Sequence, residues 1–204
     1  TLARIAPREL YERTGIQLMP INTLFELAAM AAEPDPALEV ADTLLLIPDL
    51  VHAWLGGARV AEFTNATTTQ CFDPRAGGWA LDLVERVGVP ASLLPEVVRP
   101  GTVVGSHEGI AVVAGATHDT AAAVAAVPFR REGAAYISAG TWSLVGVEVE
   151  QPAIDDRTFA ANLTNEGGVG GTTRLLRNVA GMWLLHESRD VLPVDRVVEL
   201  ASAA

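Results

Sequence analysis
The chain has 204 residues, half of them hydrophobic, and a formal net charge of −11. That is enough apolar material for one sizeable core or parts of two, which argues against disorder; the acidic balance argues against a nucleic-acid partner, which needs a concentrated basic surface. The single cysteine, Cys71, excludes an intrachain disulfide and reads as a buried, inert thiol.

All fourteen basic residues are arginine. The absence of lysine removes the Walker-type phosphate loop, the strand lysine of protein kinases and any Schiff-base enzyme. With this net charge, a phosphate-bearing ligand has to be held by backbone amides and a metal ion rather than by a basic surface. Thr1 to Glu12 mixes arginines, glutamates and proline, unlike a signal peptide. The longest apolar stretch, Ile110 to Phe129, is broken by His118 and Asp119 and is a poor membrane span. A cytoplasmic enzyme or binding domain is expected, with no membrane partner.

In chain order, Pro7 to Arg13 is predicted helical, with Gly15 ending the helix. A second helix is predicted from Asn22 or Thr23 through Met30, Thr23 and Glu26 having capping-box spacing. Glu33-Pro34-Asp35-Pro36 reads as a loop, and the apolar run Thr43 to Leu55 stops at Gly56-Gly57. After the threonine-rich Phe63 to Phe72, the stretch Asp73 to Gly78 is a turn, and Trp79 to Val87 is predicted helical up to Gly88. Ile110 to Ala114 is a β-branched strand followed by Gly115 and an alanine-rich helix from Asp119 to Val127.

Beyond Pro128 to Gly133, whose Arg130-Arg131-Glu132 suggests a solvated linker, the pattern changes. Ala134 to Ser138, Ser143 to Val149 and Thr172 to Arg177 are predicted strands, with a weaker one at Phe159 to Leu163, and Val179 to Asp190 is predicted helical. Consecutive antiparallel strands followed by a helix match the opening of an RNase H-like α/β domain. The boundary implies two parts, residues 1–129 and 130–204.

Three segments bear on chemistry. In Gly115-Ala116-Thr117-His118-Asp119-Thr120, a strand-to-helix junction carries an aspartate. At a helix N-terminus it either caps the helix or, as a stabilised anion, takes a proton from a nucleophilic hydroxyl. Ser138-Ala139-Gly140-Thr141-Trp142-Ser143 is a tight turn between strands. It is either a plain hairpin or an anion nest to which the Thr141 and Ser143 hydroxyls add donors. Asn165 to Gly171 precedes a strand rather than bridging strand to helix, so the Rossmann fingerprint fails and a glycine-rich connection is expected. His52, His107 and His186 lack metal-ligand spacing with Cys71 or each other. Trp142 and Trp183 read as core aromatics, with a pocket lining the less ordinary use.

Taken together, "GATHDTAAAVAAVP", "AYISAGTWSLVGVE" and "NLTNEGGVGGTTRLLRNVAGMWLL" resemble the FGGY carbohydrate kinases in order and spacing. So do the upstream "TGIQLMPINTLFEL", "EFTNATTTQCFDPRAGGW" and "LLPEVVRPGTVVG". The resemblance covers nearly the whole chain and is nearest the branch acting on deoxy-ketoses. It implies an actin/hexokinase-like fold of two RNase H-like domains with sugar and ATP in the cleft between them, the chain supplying part of each. It further implies Mg2+ with the ATP, Asp119 as the base toward the attacking sugar hydroxyl, and His118, Thr120 and Asn178 against the sugar. Gly140 and Thr141 would hold the ATP phosphates. His186 stands where that branch tends to have glutamine facing ATP; histidine cannot both donate and accept there as the carboxamide does.

The substrate so implied is L-rhamnulose, phosphorylated at its 1-hydroxyl. A kinase of L-fuculose, xylulose or glycerol, or a non-catalytic sensor or structural module on the same fold, remains an alternative. The family's first phosphate loop and its adenosine motif are not found in this sequence. The chain is therefore expected to be a middle portion, inactive alone.

Overall fold
The computed structural model describes residues 3–33, 35–131, 133–183, 187 and 192–203. Helix α1 (Pro7–Thr14) starts on proline and ends at Gly15, whose φ of 67° brings its N–H within 2.7 Å of the Tyr11 carbonyl. Helix α2 (Thr23–Ala32) begins after Asn22, but the capping box does not form. The Asn22 amide instead donates to the Gln17 carbonyl and the Gln70 side chain, both at 2.9 Å. These bonds tie the helix start to distant loops rather than to its own first turn. The short α3 (Pro36–Val40) is capped by Asp35, so the expected loop ends where Pro36 enters a helix.

Helix α4 (Ile47–Trp54) fills the apolar run, and strand β1 (Ala61–Glu62) leads directly into α5 (Phe63–Ala66) and a 3-10 turn at Thr67–Thr69. A hairpin of β2 (Phe72–Asp73) and β3 (Gly78–Trp79) spans the expected turn. Trp79 therefore lies in a strand, and the helix α6 (Leu81–Arg86) is shorter than its apolar pattern suggested. The reason is packing: the Trp79 ring meets Phe72 edge-on at 5.9 Å and its Nε1–H donates to the Pro95 carbonyl at 2.6 Å.

One core gathers Leu10, Leu24, Leu27, Leu83 and Val84 from α1, α2 and α6, with Val87 at the end of α6 and Cys71 just before β2. Cys71 is buried as expected, and burial pushes its thiol up to about 12.

Strand β4 (Val97–Val98) pairs with β1 in parallel, and β5 (Thr102–His107) forms an antiparallel hairpin with β6 (Ile110–Ala114), the strand the sequence predicts. Gly105 bridges to Gly57 at the end of α4, where a Cβ would land on the Gly56 carbonyl oxygen. Helix α7 (Asp119–Ala125) follows β6 and buries Ala121 and Val124.

The later strands form one antiparallel sheet. β7 (Ala135–Ala139), β8 (Trp142–Val149), β9 (Thr164–Gly167) and β10 (Thr173–Ala180) lie in the order β7-β8-β10-β9. Val124 of α7 packs on Tyr136 and Leu176 of this sheet. The weak strand expected at Phe159 to Leu163 is not one: Phe159 and Ala160 form the end of α8 (Asp156–Ala160). Asp155 and Thr158 cap each other reciprocally, and Phe159 packs against Tyr11 at 5.1 Å.

The helix expected from Val179 is also displaced, because β10 stays paired to β8 through Ala180↔Trp142. Met182 and Trp183 are helical, while 184–186 and 188–191 lie outside the described residues. A final helix, α9 (Val194–Ser202), went unread in the sequence. No helix among the described residues is long and apolar enough to cross a membrane.

A buried acid on α4 gives the fold a pH signature. Asp49 is 1% exposed; its Oδ1 accepts from the Glu62 N–H at 3.1 Å, and its Oδ2 has no partner among the described residues. Burial raises its pKa from 3.8 to about 6; the bond from Glu62 N–H opposes the rise, and the Glu62 charge adds to it. The folded state then binds the proton more tightly than the unfolded chain between those values. The stability due to this group is full below pH 3.8 and lost as pH rises through about 6. Asp49→Asn should therefore stabilise the fold by about 1–3 kcal/mol at neutral pH, with the gain fading toward about pH 4. Urea unfolding across that range checks it; equal destabilisation at every pH would refute it.

Candidate active site
The junction between β6 and α7 is held by a buried carboxylate on β1. Glu62 is fully buried, and its Oε2 accepts from both the N–H and the hydroxyl of Thr117 at 2.9 Å. Its Oε1 accepts from Thr64 N–H at 2.8 Å, and its Oε2 from the Thr64 hydroxyl at 2.5 Å. The Thr64 hydroxyl in turn accepts from His118 N–H at 3.2 Å. A buried polar group survives only where its bonds are made, and here making them pins the loop that carries His118 and Asp119.

His118 is the residue before α7, so Asp119 stands inside the first turn rather than capping it. The Asp119 side chain is 96% exposed. Its Oδ1 accepts from Thr120 N–H at 2.6 Å and lies 3.2 Å from the Thr120 hydroxyl. The carboxylate is thus oriented from one side and open to a ligand on the other.

Behind His118 lies a buried ionic group. Arg174 on β10 is fully buried; its Nε donates to the Gly167 carbonyl at 3.1 Å. Its Nη2 lies 3.1 Å from Glu166 Oε2 and 2.7 Å from His118 Nδ1. The Glu166 contact is close but not aligned as a hydrogen bond. Burial, with the Arg174 charge second, pulls the His118 pKa down to about 4, so the imidazole is neutral near pH 7. Burial pushes Glu166 above the usual carboxylate range, with Arg174 opposing it.

These groups open onto a cavity of about 470 Å³. Six of the residues singled out in the sequence line it together: His118, Asp119, Thr120, Gly140, Thr141 and Asn178. His186 lies outside the described residues. Asn178 donates through its amide to Gln17 Oε1 at 3.2 Å, which leaves its carbonyl oxygen for another partner.

The 138–143 turn differs in one respect from an anion nest. Gly140 N–H is used by the Trp142 carbonyl at 2.8 Å, while the Gly140 and Thr141 carbonyls accept from Met182 and Trp183 at 2.9 and 3.2 Å. The turn is thereby rigid, and side chains rather than Gly140 N–H are what it presents to the cavity. Trp142 is not a core aromatic: it is half-exposed and lines this space, and Trp183 is equally exposed. The glycine-rich connection expected at Asn165 to Gly171 is shorter than that: Asn165, Glu166 and Gly167 lie in β9 itself, paired with Leu175, Arg174 and Thr173, and only residues 168–172 join β9 to β10.

Glu62, Thr64, Gln17, Glu166 and Arg174 were missed in the sequence, because each acts on residues far along the chain. One signal was present: in the predicted strand at 172–177, Arg174 shares a face with Leu176, and both are fully buried.

The chain is similar to known proteins along nearly its whole length. Residues 2–126 match the description "FGGY family of carbohydrate kinases, N-terminal domain", and residues 135–202 match the corresponding C-terminal domain. A rhamnulokinase of Pectobacterium carotovorum is 43% identical over 98% of the chain, and one of Yersinia pestis is 42% identical over 96%. The chain spans 42% and 41% of these curated relatives.

Among solved structures, a xylulose kinase from Lactobacillus acidophilus superposes with a TM-score of 0.77 at 18% identity, covering 92% of this chain and 40% of that one. The Plasmodium falciparum glycerol kinase with ADP gives 0.75 at 16% identity, covering 95% and 42%. These likenesses show the actin/hexokinase-like fold. The chain belongs to the FGGY family of carbohydrate kinases.

Proposed function
We propose that the natural protein transfers the γ-phosphoryl group of ATP to a ketose, L-rhamnulose at its 1-hydroxyl, in the cytoplasm. The observation that carries this reading is the convergence of six residues from three separate segments on one cavity, with a solvated carboxylate at its wall. Asp119 takes the proton of the attacking hydroxyl, and His118, Thr120 and Asn178 hold the sugar. The turn at Gly140 and Thr141 faces the phosphates. In such a reaction, positioning and charge stabilisation do most of the work.

Residues 1–129 are assigned to the sugar-binding part and 130–204 to the start of the ATP-binding part. Among the described residues no group of three or more His, Cys, Asp or Glu could hold a metal. The chain thus has no cage for Mg2+ in these residues, and no step is assigned to the ion. Mg2+ is expected to arrive with the phosphates, as it does where one or two carboxylates and the substrate share it.

The branch of the family is supported by the two rhamnulokinase relatives, not by a methyl pocket visible in the cavity. A coupled ADP-release assay on the natural full-length protein, with L-rhamnulose, L-fuculose, xylulose and glycerol, tests it. L-Rhamnulose should give the highest specificity constant. A clear preference for xylulose or glycerol would move the protein to another branch, and sugar binding without turnover would make it a sensor.

Thr141→Val should weaken ATP binding by about 1.5–3 kcal/mol, the worth of one charge-assisted hydrogen bond, and affect sugar binding little. Titration calorimetry with a non-hydrolysed ATP analogue reads both. Unchanged nucleotide affinity and turnover would make the segment a hairpin turn only.

A further inference from the structure
The Arg174 contact to His118 carries more than packing. A guanidinium has donors and no acceptor, and it stays charged at any pH a protein survives. At 2.7 Å from His118 Nδ1, Arg174 Nη2 therefore donates to that nitrogen, which must carry a lone pair. In a neutral imidazole the proton then sits on Nε2. That nitrogen lies 3.8 Å from Asp119 Oδ1, and both residues line the cavity.

We propose that Arg174 is a positioning residue: it locks His118 in the neutral Nε2–H tautomer and so presents one fixed donor to an oxygen of the acceptor sugar beside Asp119. The sugar half of this statement rests on the proposed kinase reading; the tautomer half does not. The alternative partner for Nδ1 is Glu166, whose Oε2 lies 3.6 Å away. An unobstructed carboxylate there would draw the proton to Nδ1 and turn Nε2 into an acceptor, the wrong polarity for a sugar oxygen that lacks a proton to give. Arg174 sits 3.1 Å from that same Oε2 and reaches Nδ1 first. The charged groups that face the imidazole are thus Arg174 on β10, Glu166 on β9 and Asp119 on α7. Glu62 holds the backbone of the preceding loop rather than the ring.

The experiment is 15N NMR of imidazole-labelled natural full-length protein, with the His118 signals assigned by their loss in His118→Gln. From about pH 5.5 to about pH 8, Nδ1 should resonate as an unprotonated acceptor and Nε2 as an N–H nitrogen. A protonated Nδ1, or a cationic ring above about pH 5.5, would overturn the proposal whether or not the protein is a kinase.

Arg174→Met should then shift the tautomer toward Nδ1–H, raise the ring's pKa and lower kcat about 10- to 100-fold. Arg174→Lys, which keeps a charged donor, should restore part of each effect. Because Arg174→Met leaves Glu166 buried without its counter-charge, Arg174→Met with Glu166→Leu serves as a folded control that removes both charges. Loss of the single tautomer in that double variant is the expected result. Retention of the Nε2–H tautomer there would show that Arg174 does not set it. If the tautomer changes but sugar turnover does not, His118 makes no donor contact in the reaction, and the sugar half of the proposal falls.

Discussion
Asp119→Asn in the natural full-length protein should lower kcat by roughly two to four orders of magnitude, the usual worth of a general base. Sugar affinity should stay within a few-fold. The asymmetry follows from the geometry of the side chain. Its Oδ1 accepts from Thr120 N–H at 2.6 Å, a bond that an asparagine carbonyl oxygen keeps, so the local fold and the first turn of α7 are retained. What is lost is the second oxygen as a proton acceptor, since the amide nitrogen there donates instead. The side chain is also 96% exposed, so the substitution leaves no unpartnered group in the core. Turnover by the coupled assay and sugar affinity by calorimetry separate the two effects. Turnover near that of the wild type would remove Asp119 from the chemistry and return it to a helix-end charge.

How far this site could be read in the sequence depended on how local its causes are. The strand Ile110–Ala114, the helix beginning at Asp119 and the turn at Gly140-Thr141 follow from short patterns: β-branched alternation, an alanine run, glycine between strands. Those patterns sufficed to place the candidate base on a helix and the turn between strands. They could not show that the two face one cavity, which depends on Gln17 meeting Asn178 and on the Thr67 hydroxyl receiving Gly167 N–H at 2.8 Å. The misread elements fail for the same reason. Trp79 looks helical by its neighbours but is held in a strand by Phe72 and the Pro95 carbonyl. Phe159 looks like strand but is drawn into α8 by the Asp155–Thr158 cap and the Tyr11 ring.

The threonine-rich segment after Glu62 shows how a functional support can hide in plain composition. Its hydroxyls were visible, but their partners were not. Thr64 serves Glu62 and His118, while Thr67 serves Gly167 on β9. Threonine in such numbers at the end of a short strand reads as turn chemistry. In the folded chain the same hydroxyls fasten the junction loop and the β9 strand to one point, so both walls of the cavity share a support.

Removing that support should be the most destabilising single change in the described part of the molecule. Glu62→Ala strips the acceptor from Thr64 N–H, Asn65 N–H, Thr117 N–H and two hydroxyls, all met by one fully buried carboxylate. The hydroxyls can turn to other partners, but the backbone donors cannot. Leaving them unpaired in the interior, together with the space vacated, should cost about 3–5 kcal/mol in urea unfolding. Glu62→Gln discriminates between lost volume and lost acceptors. Thr64 N–H binds Oε1, while Asn65 and Thr117 N–H bind Oε2. Whichever way the amide is turned, its NH2 therefore confronts a backbone donor. Gln should accordingly recover the packing but still lose about 1–3 kcal/mol, the cost of an unsatisfied buried donor. Turnover should fall in both variants even where they remain folded, because the loop before Asp119 is no longer held. If Glu62→Gln unfolds with the wild-type midpoint and turns over sugar at the wild-type rate, the carboxylate does not position the junction.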